Sequence, residues 1–543
     1  MGGGAGGGGA GHPAAGTGNP QAGGGGSAGA TTGGTGPMGG GTAGSSGGSG
    51  GTGPAGGTGG SAGASGGTGP AGGTGAAASG GMPPTAGAGG VAAGSGGMSG
   101  SSAGGSAGVD PTGPVTVALD QMRQKIEGFG INDSYASGTI PASLFDADAG
   151  IGLSILRIGM NSSGSLLTSS VQTTDIAMVK GISGTKIIGS CWSAPASCKS
   201  NNSENDGGHL NKDCYTSWAT TITSFAKSNG LYAMAVGNEP EFASCGTNDP
   251  CNGHYPTMLY TANELVAFVK VIGPMLKDAG VKVIAPETSE WNHLWSNTSA
   301  GPDPGGKNSS DPLKCGFPPS NAACDTGEGY DYGHYLAKDA EAWGAFDIMG
   351  THQYDSQKAF AWPSDVTAAR KEVWQTEMSG VKWWPEQGPS SDIANGLAVA
   401  GWIHDALTVG EASAWLYWWY STTGDNEGLV LGSTDTKRHY TMGNYSKFVR
   451  PGFNRVEVGG AVPADVALSA YVGPTGPVVV AINRGSAAAS VPITFAGGTA
   501  PATVVPWVTS AADDLAAKTA VTVANGTFTA ELGASTVTSF VGK

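Results

Sequence analysis

The chain has 543 residues, of which 98 are glycine, and carries a formal net charge of −15. An acidic balance of this size argues against nucleic acid and anionic membrane surfaces as main partners, because both are bound through basic patches. No run of 18 apolar residues occurs, so no membrane-spanning segment is expected.

The composition is not uniform along the chain. Fifty of the glycines fall in residues 1–110, and residues 1–109 hold no Asp, Glu, Lys, Arg, Phe, Trp or Tyr. Such a segment cannot bury enough apolar surface to offset the entropy of ordering it. Residues 1–113 are therefore expected to form a disordered tether. Gly-Gly-Thr-Gly-Pro recurs at 33–37, 50–54 and 66–70, without the three-residue glycine period of collagen. A flexible coil of this length spans roughly 55–60 Å r.m.s.. That suits a tether between a catalytic body and a cell surface, or a simple spacer.

Residues 114–124 open on Val115–Leu119, which alternates like a strand. Residues 125–448 then carry eight short apolar runs: Ile126–Gly130, Leu153–Gly159, Lys186–Trp192, Leu231–Glu239, Lys282–Glu287, Phe346–Tyr354, Glu372–Glu377 and Ala414–Tyr420. Helix-like stretches lie between them, including Tyr215–Asn229, Thr257–Ala279 and Ile393–Val409. Strands alternating with helices over this length predict an α/β fold, a (β/α)8 TIM barrel. Residues 449–543 change texture again. Val466–Val472, Val478–Ile482, Val491–Phe495, Ala502–Val508, Ala520–Val523 and Ser535–Val541 are short, β-rich and separated by turn residues. They predict a small antiparallel β-sandwich, to which residues 114–124 contribute a strand.

Seven cysteines lie between positions 191 and 324. No Cys-x-x-Cys occurs, which argues against zinc ribbons and thioredoxin-like chemistry. The close pairs Cys191/Cys198, Cys245/Cys251 and Cys315/Cys324 predict loop-stapling disulfides, with Cys214 left over. Disulfides imply an oxidising compartment, hence a secreted or surface-tethered protein, although Met1 leads directly into glycine-rich sequence with no signal-peptide pattern.

In such barrels the active residues sit at the C-terminal ends of the strands. Those ends read Arg157, Trp192, Asn238 with Glu239, Glu287, His352 with Tyr354, Glu377, and Trp418 with Trp419. Glu239 closes the fourth strand in Gly-Asn-Glu-Pro and Glu377 closes the seventh in Trp-Gln-Thr-Glu. Strands four and seven face each other across a closed barrel. Hydrolysis of a sugar acetal needs two carboxyl groups flanking one bond, one protonated to serve the leaving oxygen and one ionised to attack. Trp192, Trp291, Tyr354, Trp418 and Trp419 are candidate platforms for sugar rings, and Arg157 is a candidate partner that holds the nucleophile's pKa down.

The segments Gln124–Gly130, Gly152–Ile158, Asn238–Pro240, Trp374–Glu377 and Tyr445–Gly452 appear in an order that resembles glycoside hydrolase family 30, over residues 115–543. The resemblance implies a retaining barrel with a side β-sandwich. It implies Glu239 as acid/base, Glu377 as nucleophile and Asn238 as a ligand of the sugar 2-hydroxyl. Trp192, Tyr354 and Trp418 would line the subsite of the attacked sugar, with Trp419, Trp291, His352 and Arg157 as further substrate-binding candidates.

The segments Gly350–Tyr354 and Lys447–Gly452 resemble the family's bacterial xylanases. Members that require glucuronate branches grip them with an Arg in the loop after the eighth strand. Here that loop, Tyr420–Glu427, contains no Arg and carries two acids. The expectation is a secreted endo-acting enzyme on a wall polysaccharide, xylan first, with β-1,6-glucan or β-1,6-galactan as alternatives. No metal or cofactor is expected, and a monomer is. The long stretch His293–Tyr330 reads as a long loop near the cleft, either shaping specificity or a distal decoration. A glycan-binding protein without catalysis would not need the Glu pair, and a metallohydrolase would need a motif such as His-Glu-x-x-His, which does not occur.

Overall fold

The computed structural model describes residues 113–543, apart from 137, 243–254, 296–330, 355–358, 380–391 and 423–426. The tether, the cysteines at 245, 251, 315 and 324, nearly all of the 293–330 loop and the centre of the loop after the eighth strand lie outside the described residues.

Eight parallel strands close into a barrel. They are Gly128–Asn132, Ile155–Met160, Lys186–Cys191, Ala233–Ala235, Lys282–Ile284, Ile348–His352, Glu372–Glu377 and Ala414–Tyr417. The first pairs with the eighth, Gly128 opposite Ala414, which removes both sheet edges. The strand period of two assigns every side chain a face. In the second strand Leu156 and Ile158 pack outward among the helices. Ile155 points inward, into a small core with Ile188, Ala235, Ile284, Ile348, Trp374 and Leu416. Arg157, two residues on, shares that inward face and is fully buried.

The helix Tyr215–Asn229 matches its expected span and stops at Gly230, whose left-handed φ of 62° favours glycine. The helix Ala262–Asp278 starts five residues later than its apolar pattern suggests. Its start is fixed by a capping box: the Thr261 hydroxyl accepts from the Glu264 N–H at 3.1 Å, and the Glu264 carboxylate accepts from the Thr261 N–H at 2.7 Å. Several strands are shorter than their apolar runs for a related reason. Val236–Glu239 is buried, but it leaves the ladder to build the mouth of the barrel.

Ten further strands form one curled sheet around a second core that includes Val117, Val456, Leu468, Val479, Ile493, Phe528 and Phe540. Its first strand, Val115–Lys125, lies between Asn454–Gly459 and Ala489–Ala496. The pairing with Ala489–Ala496 is parallel, so this sheet is not wholly antiparallel as expected. A strand separated from its partner by an entire barrel is free of the hairpin geometry that imposes antiparallel pairing. The helix Lys437–Ser446 packs the sheet against the barrel. Asn444 donates to the Trp507 carbonyl at 2.9 Å and accepts from the Thr509 hydroxyl at 2.6 Å. Phe448 sits 5.1 Å from the Trp507 ring, which places this lone sandwich Trp at the junction.

The disulfide expectation is corrected in its pairing. Cys198 bonds Cys214, and Cys191 is the free thiol. Cys191 ends the third barrel strand with its side chain locked in the helix–sheet core, where it donates to the Val236 carbonyl at 3.2 Å. Cys198 and Cys214 lie in the excursion that follows, with Cα atoms 5.7 Å apart, within bonding reach. Proximity in sequence favoured the wrong pair, because strand geometry turns Cys191 away from the loop.

Candidate active site

Three backbone bonds carry the sheet pattern past the ends of strands four, five and six. The Glu239 N–H donates to the Glu287 carbonyl at 3.0 Å, the Glu287 N–H to Gly350 at 3.0 Å, and the His352 N–H to Thr288 at 2.6 Å. Glu239 and Glu287 both take left-handed backbone, with φ of 47° and 69°. Non-glycine residues held there cost about 1–3 kcal/mol each. Gly350 makes the second turn possible: a side chain at that position would meet the Glu287 Cα at 3.1 Å.

Arg157 is the hub beneath this layer. Its Nη1 donates to Glu377 at 2.6 Å, its Nη2 to Asn238 at 2.6 Å and its Nε to Glu287 at 3.2 Å. Its guanidinium also lies 5.0 Å from the centroid of the Trp192 ring. The second Glu377 oxygen accepts from the Tyr354 hydroxyl at 2.9 Å. His352 Nδ1 lies 2.9 Å from Glu239 and 3.9 Å from Glu377. Ligand atoms of Glu239, His352 and Glu377 all fall within 4.8 Å of one another, so a carboxylate oxygen of each Glu does too. That spacing matches two carboxyls acting from opposite sides of one bond by double displacement, where about 5–5.5 Å is usual.

Exposure separates the members of this cluster. Glu239 is 7% exposed and Glu377 6%, whereas Arg157, Glu287 and His352 are at 0%. The first two are within reach of a substrate in the mouth, and the last three brace them from below.

The electrostatics follow from burial. Desolvation raises the Glu377 carboxyl above its ordinary value, against the lowering effects of His352 and Arg157 and the Tyr354 hydrogen bond. Arg157 thus pulls Glu377 down, as expected from the sequence, but burial and the second carboxylate outweigh it. Burial alone would depress His352, yet the charge of Glu377 and the hydrogen bond to Glu239 leave it raised. The same grouping of Glu239, His352 and Glu377 is the one set of three potential metal ligands among the described residues. A guanidinium 2.6 Å from Glu377 opposes a cation there.

Trp192, Trp418 and Trp419 form one cluster beside the carboxylates, with Tyr135, Leu167 and Tyr255 packed on it. Trp418 stacks on Trp419 at 5.0 Å between centroids, and the Trp419 indole N–H is held by the Ser134 carbonyl at 2.8 Å. Tyr135 meets Trp192 edge-on at 5.7 Å. Trp291 is not brought to this cluster. It is fully buried on the short helix Trp291–Leu294 and belongs to the core between barrel and helices. Tyr135 was not singled out from the sequence, since it sits in a loop with no motif around it.

Ser134 and Tyr135 are carried by a loop anchored on buried acids. Asp133 accepts from Gln172 at 3.1 Å, and Asp175 accepts from the Ile140 N–H at 3.1 Å. The charge of Asp175 adds to the effect of burial on Asp133. Burial pushes Asp133 up to about 8 and Asp175 up to about 6. The folded chain therefore keeps a proton that unfolded aspartate loses near its ordinary value of 3.8. This contribution to stability is full below about pH 4 and is lost as pH rises toward 8. Thermal melts at pH 5 and 8.5 should show the wild type losing stability over that window. Asp133→Asn should lose less, since its amide keeps the polar contact without a charge. Parallel losses in both proteins would remove the acid pair as the cause.

A closed (β/α)8 barrel with two carboxylates this close at its mouth, ringed by indoles, defines a retaining glycoside hydrolase. No protein-family model matches the chain. Among known proteins it is 28% identical over 453 residues to glucuronoxylanase XynC of Bacillus subtilis (strain 168), covering 79% of this chain and 91% of that one. Two solved structures align with 79% of the chain. One is a family 30 endoxylanase from Clostridium papyrosolvens, with 28% identity, TM-score 0.60 and all of that chain covered. The other is a family 30, subfamily 8 xylanase from Clostridium acetobutylicum, with 25% identity, TM-score 0.62 and 99% covered. The chain is thus similar, over most of its length, to xylanases of glycoside hydrolase family 30.

Proposed function

We propose that the protein is a secreted, monomeric endo-β-1,4-xylanase in which Glu377 is the nucleophile and Glu239 the acid/base. The observation that carries the role assignment is the pair of donors on Glu377. Both Glu377 oxygens are held by donors, Arg157 at 2.6 Å and Tyr354 at 2.9 Å, which favours a fixed, ionised carboxylate. Glu239 faces His352 at 2.9 Å, a partner able to exchange a proton.

A xylose unit enters against the Trp192–Trp418 wall, with Asn238 at its 2-hydroxyl. A Glu377 oxygen attacks the anomeric carbon while Glu239 gives its proton to the departing glycosidic oxygen. The product is a glycosyl ester on Glu377 and a free chain end. Glu239, now a carboxylate, takes a proton from a water that attacks the same carbon. This second displacement releases Glu377 and restores the original anomeric configuration.

The choice of xylan rests on the relatives named above as xylanases and glucuronoxylanase. The absence of Arg from Tyr420–Glu427 in the sequence argues against strict dependence on glucuronate. Product analysis on unbranched xylan, glucuronoxylan, β-1,6-glucan and β-1,6-galactan tests both points, with Glu377→Gln as control. Oligomers from both xylans are the expected result. Cleavage of glucuronoxylan alone would transfer the uronate grip to another residue. Cleavage of a β-1,6 polymer alone would overturn the substrate and leave the mechanism.

A further inference from the structure

We propose that Glu287 is a positioning residue for this reaction: a third carboxylate, out of reach of substrate, that takes up the charge of Arg157 and fixes where both catalytic carboxylates stand. The inference rests on the roles of Glu239 and Glu377 given above.

The geometry supports it at two levels. The Glu287 backbone accepts from the Glu239 N–H at 3.0 Å, so the turn at Glu287 sets the height of Glu239. That turn is held in left-handed backbone over Gly350, where a larger residue would collide with it. Its side chain braces the other carboxylate indirectly. One oxygen accepts from Arg157 Nε at 3.2 Å, and the other accepts from the Ser190 hydroxyl. With Nε tied to Glu287, the planar guanidinium has one orientation left, which aims Nη1 at Glu377 and Nη2 at Asn238.

The charge matters as much as the geometry. Arg157 is wholly buried, and burial alone would lower its pKa; Glu287 first, then Glu377, more than restore it. Without Glu287, the whole cation would fall on Glu377. A carboxylate over-stabilised in this way is a weaker nucleophile in the ground state and must give up more on attack. Complete burial, 0% against 6–7% for the two catalytic Glu residues, keeps Glu287 from contacting substrate.

The test is the pH profile of kcat/KM for Glu287→Gln and Glu287→Asp in the full chain, on a soluble xylo-oligosaccharide. Glu287→Gln keeps the shape and removes the charge. Its acid limb, which reports the free nucleophile, should move down by about one pH unit. Its kcat should fall by roughly 10- to 100-fold with KM little changed. Glu287→Asp keeps the charge at shorter reach and should lose kcat with the acid limb in place. A Glu287→Gln enzyme with the wild-type limb, or with a loss matching only its unfolded fraction, overturns the proposal. If Glu287→Gln does not fold, Ser190→Ala replaces it, since it disturbs the Glu287 carboxylate without touching Arg157. An unchanged kcat there also overturns the proposal. Glu377→Gln on the same substrate separates the two readings: if it remains active, the assignment of the site has failed rather than the role of Glu287.

Discussion

Replacing Glu377 by glycine should reduce hydrolysis of an aryl β-xyloside by at least about 10⁴-fold, because the side chain that forms the covalent intermediate is gone. Added azide should then restore turnover through a different product. The missing side chain leaves a small space on the face of the sugar opposite the leaving group. The donors that held the carboxylate, Arg157 Nη1 and the Tyr354 hydroxyl, remain to receive an anion. Azide attacking from there inverts the anomeric carbon, so the expected product is the α-xylosyl azide. Nuclear magnetic resonance of the product reads the configuration directly. A variant within tenfold of wild type, or a β-azide, would show that Glu377 does not attack.

Replacing Glu239 by alanine should give a different signature. Loss of a general acid costs about 10²–10⁴-fold when the leaving group needs a proton, as in xylan itself. Departure of a group as acidic as dinitrophenol needs none, so formation of the glycosyl ester on such a substrate should be nearly unimpaired. The ester then accumulates, because the base that activates water is also gone, and a burst of one equivalent should precede slow turnover. Azide needs no base. It should attack the ester from the side that Glu239 vacates and give the β-azide with retained configuration. Opposite azide anomers from the two variants fix both roles at once. The same anomer from both would overturn the assignment of acid/base and nucleophile to these two positions.

The elements most legible in the sequence were those whose side chains answer to local geometry. The seventh strand falls at Glu372–Glu377, and the helix Tyr215–Asn229 runs to its glycine stop. Asn238, Glu239, Tyr354 and Glu377 could be placed because strand ends on a barrel converge on one mouth. What stayed hidden depends on contacts between distant residues. The hydrogen bond of Arg157 to Glu287 spans 130 positions, and nothing near either residue announces it. Trp291 and Trp418 are the same residue type, each near a strand end, yet one fills the core and the other the cleft wall. The strand Thr527–Leu532 alternates buried with more open positions along its length and follows Asn525-Gly526, a turn signal that could have located it. Asn454–Gly459 was harder to find. Its Arg455 and Glu457 interrupt the apolar pattern, and in the fold they face Glu411 and Arg123.

The position of Val115–Lys125 has a consequence for how the chain is made. This strand is among the first of the globular body to leave the ribosome, yet its partners begin at Asn454 and Ala489. At about 5–20 residues per second, tens of seconds separate the synthesis of one from the others. During that interval an apolar strand with open hydrogen-bonding edges waits, while the barrel between them can already close. The side sheet is thus completed last, and a ribosome that stops short of the final strands leaves a finished barrel with an unpaired edge. Such an edge recruits other chains. Truncation from either end should therefore be limited by solubility before it is limited by catalysis.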